Sequence, residues 1–351
     1  MLFVIEKKIK SINFIKGVTI VELMISMVLG LLLINSVMTL YLNQRSSYYL
    51  SDQAIYVNND ARFISDLIGR DIRAVGDFGC TSAEKLMNVL NNTIFDPGDL
   101  RVISAFQRVS DIPNTIPGRE VLTALNPVSG TPILMFKGSY GWQTYLDSGM
   151  ATNTSPIKVK DNELKNFSKG DVVAISNCKQ SSIFEVTNVN LNGLSHDAGV
   201  FPTAANGNST GMIHIEPYAK GADIVRLDII FYVIGNPSDG RPKGLYRISG
   251  TQNYAQLITD KLDNWNVKFK LDLNQDMVID NNLIDINAMS ATDWRNISSV
   301  YIEAVLRSSK ILPNVKNSQR MKYYFNGEEE TANDNHFYSS VSFETRLRNF
   351  K

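Results

Sequence analysis

One carboxylate stands where carboxylates are rarely found. Glu22 lies inside Val18 to Leu42, a run otherwise fit to sit in hydrocarbon. A bilayer core takes roughly 20 apolar residues as helix, so this run is long enough to cross it. A charge held there is costly and marks a functional role with a partner to be named. Lys7, Lys8, Lys10 and Lys16 precede the run and only Arg45 follows closely, so the N-terminus is expected to stay cytoplasmic while the rest crosses. The bland alternative is a plain single-pass anchor with a chance glutamate.

Two further sets of residues bear on chemistry. Cys80 and Cys178 both fall beyond the apolar run, in what this topology makes an oxidising compartment, where a pair usually forms a disulfide. Closing so long a loop contributes on the order of 4–5 kcal/mol in the chain-entropy model; two free buried thiols are the alternative. Asp272, Asn274, Asp276 and Asp280, with the Val278 carbonyl, follow the ligand spacing of a calcium loop. The pattern departs from that loop twice: Met277 stands at the sharp-turn glycine, and Leu283 at the bidentate glutamate, with Asp285 the nearest substitute. An Asn/Asp-rich turn between strands is the favoured reading. None of these residues requires a cofactor, calcium being the one candidate.

Catalytic patterns are missing from the sequence. His196, His214 and His336 have no paired spacing, and no G-x-S-x-G, H-E-x-x-H or phosphate-cradling glycine loop occurs. The chain has 35 basic and 35 acidic residues. Removing residues 1–17 takes away four lysines and one glutamate, leaving 31 against 34, or −3. No direct nucleic-acid binding is expected from that balance. With 44% hydrophobic and 20% charged residues, most of the chain should fold.

The elements that must carry these residues follow from periodicity. Tyr41, Tyr48, Ile55, Phe63, Leu67, Ile68, Ile72 and Val75 recur at helical spacing with charged residues between them, so the helix is expected to continue past the apolar run. Gly76 and Gly79 should end it. After Cys80 the pattern turns to short β-like runs. Strands are predicted at Ile133–Lys137, Asp171–Ser176, Ser182–Val189, Ile224–Ile234, Gly244–Ile248, Val267–Leu273, Ser298–Leu306 and Phe337–Arg346. The runs at 226–233 and 300–307 alternate as half-buried antiparallel strands do. Residues 88–130 and 190–222 read as long surface loops, and Glu328-Glu329-Glu330 as a solvated loop. Trp142 and Trp265 suit either strand edges or the core.

Lys16-Gly17-Val18-Thr19-Ile20-Val21-Glu22-Leu23 resembles the N-terminus of type IV prepilins: a basic leader, a glycine, then an apolar helix with glutamate as its fifth residue. That resemblance implies cleavage by a prepilin peptidase between Gly17 and Val18, N-methylation of Val18, and an assembly role for Glu22. There its carboxylate would meet the new amine of a neighbouring subunit and offset a desolvation cost neither charge escapes alone. Phe63 to Cys80, with its arginine-bearing helix end and Gly-Asp-Phe-Gly-Cys turn, is similar to the PilW family of minor pilins. So are Gly170 to Cys178, Ile183 to Thr187, and the ending Phe343 to Asn349.

The fold class expected is α+β, type IV pilin-like: a long N-terminal helix packed on an antiparallel β-rich head. The divisions are a leader at 1–17, a helix at 18–77 and a head at 78–351. The resemblance implies a minor pilin that primes pilus assembly and joins the tip complex, supporting twitching motility, adhesion or DNA uptake. Its partners would be the prepilin peptidase, other minor pilins, the major pilin and a PilY-type tip adhesin. It would be held in the inner membrane before assembly and reach the cell surface in the fibre. A J-type pseudopilin of type II secretion is the nearest rival, and an N-anchored periplasmic enzyme a rival of another class.

Overall fold

A computed structural model describes residues 18–79, 86–92, 94–95, 101–203, 205–274, 276, 278–280, 282–312 and 320–348, and structural statements below concern these residues. Helix α1 runs over Ile20–Arg73. The chain divides into two units, Met1–Asp52 and Gln53–Lys351, so the first part of α1 belongs to one and its last turns to the other.

In the first unit the apolar side chains of α1 face outward. Ile20, Leu33 and Ile34 are each about two thirds exposed or more, and the stretch has a mean hydropathy of 2.2. The helix is long and apolar enough to cross a membrane.

In the second unit α1 changes character as its sequence does. Val57, Ala61, Ile64, Ile68 and Ile72 recur at three- and four-residue spacing and are all buried, as an amphipathic stripe must be. The strands follow in chain order: β1 (Leu86–Asn88), β2 (Ile103–Phe106), then helix α2 (Arg119–Ala124), β3 (Ile133–Tyr145), β4 (Val172–Ser176), β5 (Ser181–Glu185), β6 (Asn188–Asn190), β7 (Gly193–Ser195), β8 (Asp223–Gly235), β9 (Gly244–Ser249), β10 (Tyr254–Thr259), β11 (Leu262–Leu271), β12 (Ile284–Asp285), β13 (Ile297–Ile311), β14 (Lys322–Phe325), β15 (Glu328–Thr331) and β16 (His336–Arg346). One large sheet has the order β1-β5-β4-β8-β3-β2, with β9 and β10 branching from β8; a second has the order β12-β11-β13-β16. Pairing is antiparallel apart from β1 with β5. This is the α+β architecture the sequence predicts.

The buried stripe of α1 packs with Phe136, Ile230 and Tyr232 of the large sheet and with Trp265, Phe269 and Ile302 of the smaller one. The opposite face of the large sheet is covered too. Ile229, Phe231 and Val233 meet Leu122 and Leu125 at α2 and Ile94, Phe95 and Ile112 from the preceding segment. Strand β8 is therefore buried on both faces, and the half-buried alternation expected for residues 226–233 does not hold. Its cover comes from residues 88–130, read from sequence as surface loop. Within 190–222, likewise, Leu194, Ile213 and Tyr218 are buried against Phe184 and Ile175. Glu328-Glu329-Glu330 forms an edge of the β14–β15 hairpin instead of a loop, with Lys322 on Glu329 and Tyr323 on Glu330.

The end of α1 docks backbone to backbone. Val75 bridges Gly138 of β3, and the Gly76 N–H donates to the Lys137 carbonyl at 2.9 Å. Any side chain at Gly138 would strike the Ala74 carbonyl at 2.2 Å, so glycine is required there. Just before this contact lies a buried polar knot. Asp71, 2% exposed, accepts hydrogen bonds from Arg247 Nε at 2.6 Å and Tyr232 Oη at 2.7 Å, both into Oδ2. Tyr140 Oη donates to the Asp71 carbonyl at 3.0 Å, and the Arg247 guanidinium lies 6.0 Å from the Tyr140 ring centre. Burial first, and Asp71 second, push both tyrosine hydroxyls far above their usual range, so each remains a donor.

Asp71→Ala strands the Arg247 guanidinium in a largely desolvated place and is expected to cost about 3–5 kcal/mol. Tyr232→Phe removes one neutral donor and should cost about 1 kcal/mol. Urea unfolding of the full chain in detergent micelles ranks the two; equal losses would mean that Asp71 does not anchor Arg247.

Candidate functional site

The N-terminal turn of α1 satisfies itself. Thr19 stands just before the first helical residue and Glu22 in the first turn. The Glu22 N–H donates to Thr19 Oγ1 at 3.2 Å, while the Thr19 N–H and hydroxyl both donate to Glu22 Oε2 at 3.3 Å. This is a reciprocal capping box. It answers a need that hydrocarbon makes acute, since the first N–H groups of a helix have no partner within the helix and find no water there. The carboxylate also lies at the positive end of the helix dipole. Thr19-Ile20-Val21-Glu22 carries the S/T-x-x-E signature ahead of an apolar run, so this role is readable from sequence. The prepilin resemblance pairs Glu22 with the Val18 amine and leaves Thr19 without a role. Val18 is exposed, and Gly17 lies outside the described residues.

Cys178 occupies the turn between β4 and β5 with φ 63°, held by Asn177, whose Oδ1 accepts the N–H groups of Lys179 and Gln180 at 3.2 and 3.0 Å. The chain leaving α1 comes to this hairpin. Ser181 Oγ donates to the Phe78 carbonyl at 3.0 Å, and Gly79, at φ +96°, runs so close that a Cβ there would lie 2.4 Å from the Ser176 Cβ. Cys80 lies outside the described residues, and no described cysteine is free.

In the aspartate-rich turn each carboxylate is used by the loop itself. Asp272, 2% exposed, accepts the Asp276 N–H at 3.2 Å, and Asp276 Oδ1 accepts the Val278 N–H at 2.7 Å. Asp276 Oδ2 accepts Asn274 Nδ2 at 2.8 Å, and Asp280 accepts the Leu273 N–H at 3.3 Å. These are the local side-chain to backbone bonds that Asp and Asn make in turns. Met277 lies outside the described residues. Among the described residues no group of three or more His, Cys, Asp or Glu stands ready to hold a metal.

The remaining candidates are dispersed. His196 is buried with Nε2 2.9 Å from the Ser155 carbonyl, His214 packs edge-on to Tyr218, and His336 Nδ1 lies 3.0 Å from Asp334. Trp265 is a core residue whose Nε1 donates to the Pro132 carbonyl at 3.0 Å, while Trp142 is 45% exposed. Sequence reasoning missed Asp71. Its signal was a single acid at a position where the α1 stripe should bury its side chain.

Thr19→Val keeps the shape of Thr19 and removes its hydroxyl. Loss of the cap should cost about 1 kcal/mol locally, read as several-fold faster amide exchange at Glu22 in micelles, with Leu33 and Ile34 unchanged.

Residues 231–349 match the family model described as type IV pilus-assembly protein W, PilW. The matched part runs from within β8 through β16, which takes in the whole smaller sheet and the β14–β15 hairpin. No curated protein and no solved structure matches the chain.

Proposed function

We propose that this PilW-family type IV pilus protein is a minor pilin that primes pilus assembly and takes its place in the tip complex. The observation that carries the reading is a conjunction in one chain. A PilW segment fills residues 231–349, and an apolar helix begins with a glutamate in its first turn. In this reading the precursor waits in the inner membrane through residues 18–42, with its N-terminus cytoplasmic and its head periplasmic. The prepilin peptidase cuts after Gly17, and Val18 becomes the methylated amine. The subunit then leaves the membrane into the fibre beside other minor pilins and the major pilin, where its head supports a PilY-type adhesin. Motility, adhesion and DNA uptake depend on it through the fibre, and catalysis has no part in the role.

The capping box supplies the physics of extraction. In the membrane, among the described residues, Glu22 is held by Thr19. In the fibre the carboxylate gains the charged amine of a neighbour, and a buried pair is strongest when hydrogen bonds also satisfy its remaining lone pairs. Glu22→Gln separates the two roles, because glutamine completes a capping box and carries no charge. The variant should be cleaved normally yet fail to enter fibres, as judged by sheared-fibre immunoblots. Normal incorporation would refute the pairing role. Deleting the protein should abolish pili and twitching; loss of exoprotein secretion with pili intact would support a J-type pseudopilin instead.

Two structural roles belong to the same reading. A Cys80–Cys178 disulfide is supported by the approach of Gly79 to Ser176 at the base of the Cys178 turn. It predicts faster migration on non-reducing gels and resistance of both thiols to alkylation. The Asp272–Asp280 turn is read as self-satisfied, since its carboxylates already accept backbone and amide donors. Its melting temperature should then be the same with calcium and with chelator. A calcium-dependent rise would make it a cation loop.

A further inference from the structure

Beside the end of α1 lies a cleft of about 530 Å³, within the range of sites that hold small ligands. Arg70, Arg73, Ala74 and Asp77 form one wall, at the i, i+3, i+4, i+7 spacing that carries one helical face onward into the turn. This face flanks the buried one that carries Asp71. The other wall comes from Gln143 of β3, Asp223 and Val225 of β8, and Arg348 just past β16.

Charges of both signs line the cleft without meeting. Arg70 reaches only its neighbour Asp71, at 3.6 Å and with a side chain 69% exposed, and Arg73 and Arg348 make no ion pair among the described residues. Asp77 Oδ1 accepts the Gly79 N–H at 3.2 Å. Burial first, and Asp77 second, push the Asp223 carboxyl up, the opposite of what a paired guanidinium would do. Three guanidinium groups and two carboxylates thus line a shared opening, and among the described residues Arg73, Arg348 and Asp223 spend no charge on an ion pair there. Helix-end arginines also suit the helix dipole, but that accounts for neither Arg348 nor the cleft.

The geometry points to this cleft as a docking site for an acidic peptide segment of a partner protein. Arginine binds carboxylates through two parallel N–H donors, and three arginines suit one or two side-chain carboxylates. Asp77, Asp223 and Gln143 would take backbone N–H groups, which a peptide brings with its acid. Inorganic phosphate or a lipid headgroup brings concentrated negative charge and no such donors, and meets repulsion from the two aspartates. The partly exposed Ala74 offers a small apolar surface that suits the stem of a glutamate. The inference goes beyond the minor-pilin reading and does not rest on it, because it is tested by binding alone.

The test uses the full chain in micelles and fluorescence anisotropy of a labelled peptide of alternating Asp and Glu, with its Asn/Gln counterpart as control. The acidic peptide should bind, and added salt should weaken it. Arg73→Glu and Arg348→Glu should each weaken it roughly tenfold or more. Arg241→Glu should leave it unchanged, since that guanidinium already donates three hydrogen bonds to the Asp239 carboxylate and lies away from the cleft. Arg348→Ala, at a position outside every strand and helix, gives a second variant that spares the fold, and unchanged melting temperatures confirm folding. Four outcomes would overturn the proposal: no binding, equal binding of the amide peptide, equal loss with Arg241→Glu, or displacement of the peptide by equimolar phosphate.

Discussion

The ordering of the large unit turns on one carboxylate taken out of water. Asp71 is carried by α1, and its two strongest partners, Tyr232 and Arg247, sit on adjacent strands β8 and β9. A buried carboxylate without partners would cost several kcal/mol, so α1 has one rotation and one axial position at which it can dock. The apolar stripe alone would not fix this. Val57, Ala61, Ile64, Ile68 and Ile72 supply most of the burial, yet such a stripe tolerates sliding more readily than a charge with two fixed donors does. Gly138 sets the remaining coordinate by letting the helix end touch β3.

Both ends of α1 thus solve the same problem with the same chemistry. At its start a carboxylate in an apolar stretch is held by its own helix through Thr19; near its end another is held by the sheet. The difference is reversibility. Glu22 is exposed within its unit and its bonds are local, so a better partner can take it over. Asp71 is enclosed and its partners are long-range, so it commits the structure. A replaceable contact and a committed one are separated by that contrast in burial.

Much was legible in the residues themselves. Seven of the eight predicted strands occur, because runs such as Ile229-Ile-Phe-Tyr-Val and Val300-Tyr-Ile-Glu-Ala-Val have no comfortable place except a sheet. The eighth, Ser182–Val189, divides into β5 of the large sheet and β6 of a separate hairpin. The continuation of α1 was visible because a 3.6-residue period survives over many turns. Its buried face was read only in part: Ile68, Ile72 and Val75 are buried, whereas Tyr41, Tyr48, Ile55 and Phe63 are exposed and Val57, Ala61 and Ile64 take the inner face. Failures came where the signal was short or lay in something distant. Strand β2 has four residues and α2 six, too few for periodicity, and both are stabilised by what they cover. The segment 88–130 has a loop's composition, yet it closes one face of β8.

Sequence alone determined the features that depend on local chemistry: an apolar helix of spanning length, a glutamate with a threonine three residues before it, and a β-rich remainder. These follow from side-chain type and near-neighbour spacing, which one chain displays in full. The tertiary structure decided that Asp71 is an anchor, that β8 is buried on both faces, and that Arg348 joins Arg70 and Arg73 around one cleft. Each requires residues far apart in the chain to become neighbours. Desolvation and pairing then give a charge its meaning, and neither quantity exists until the chain has folded.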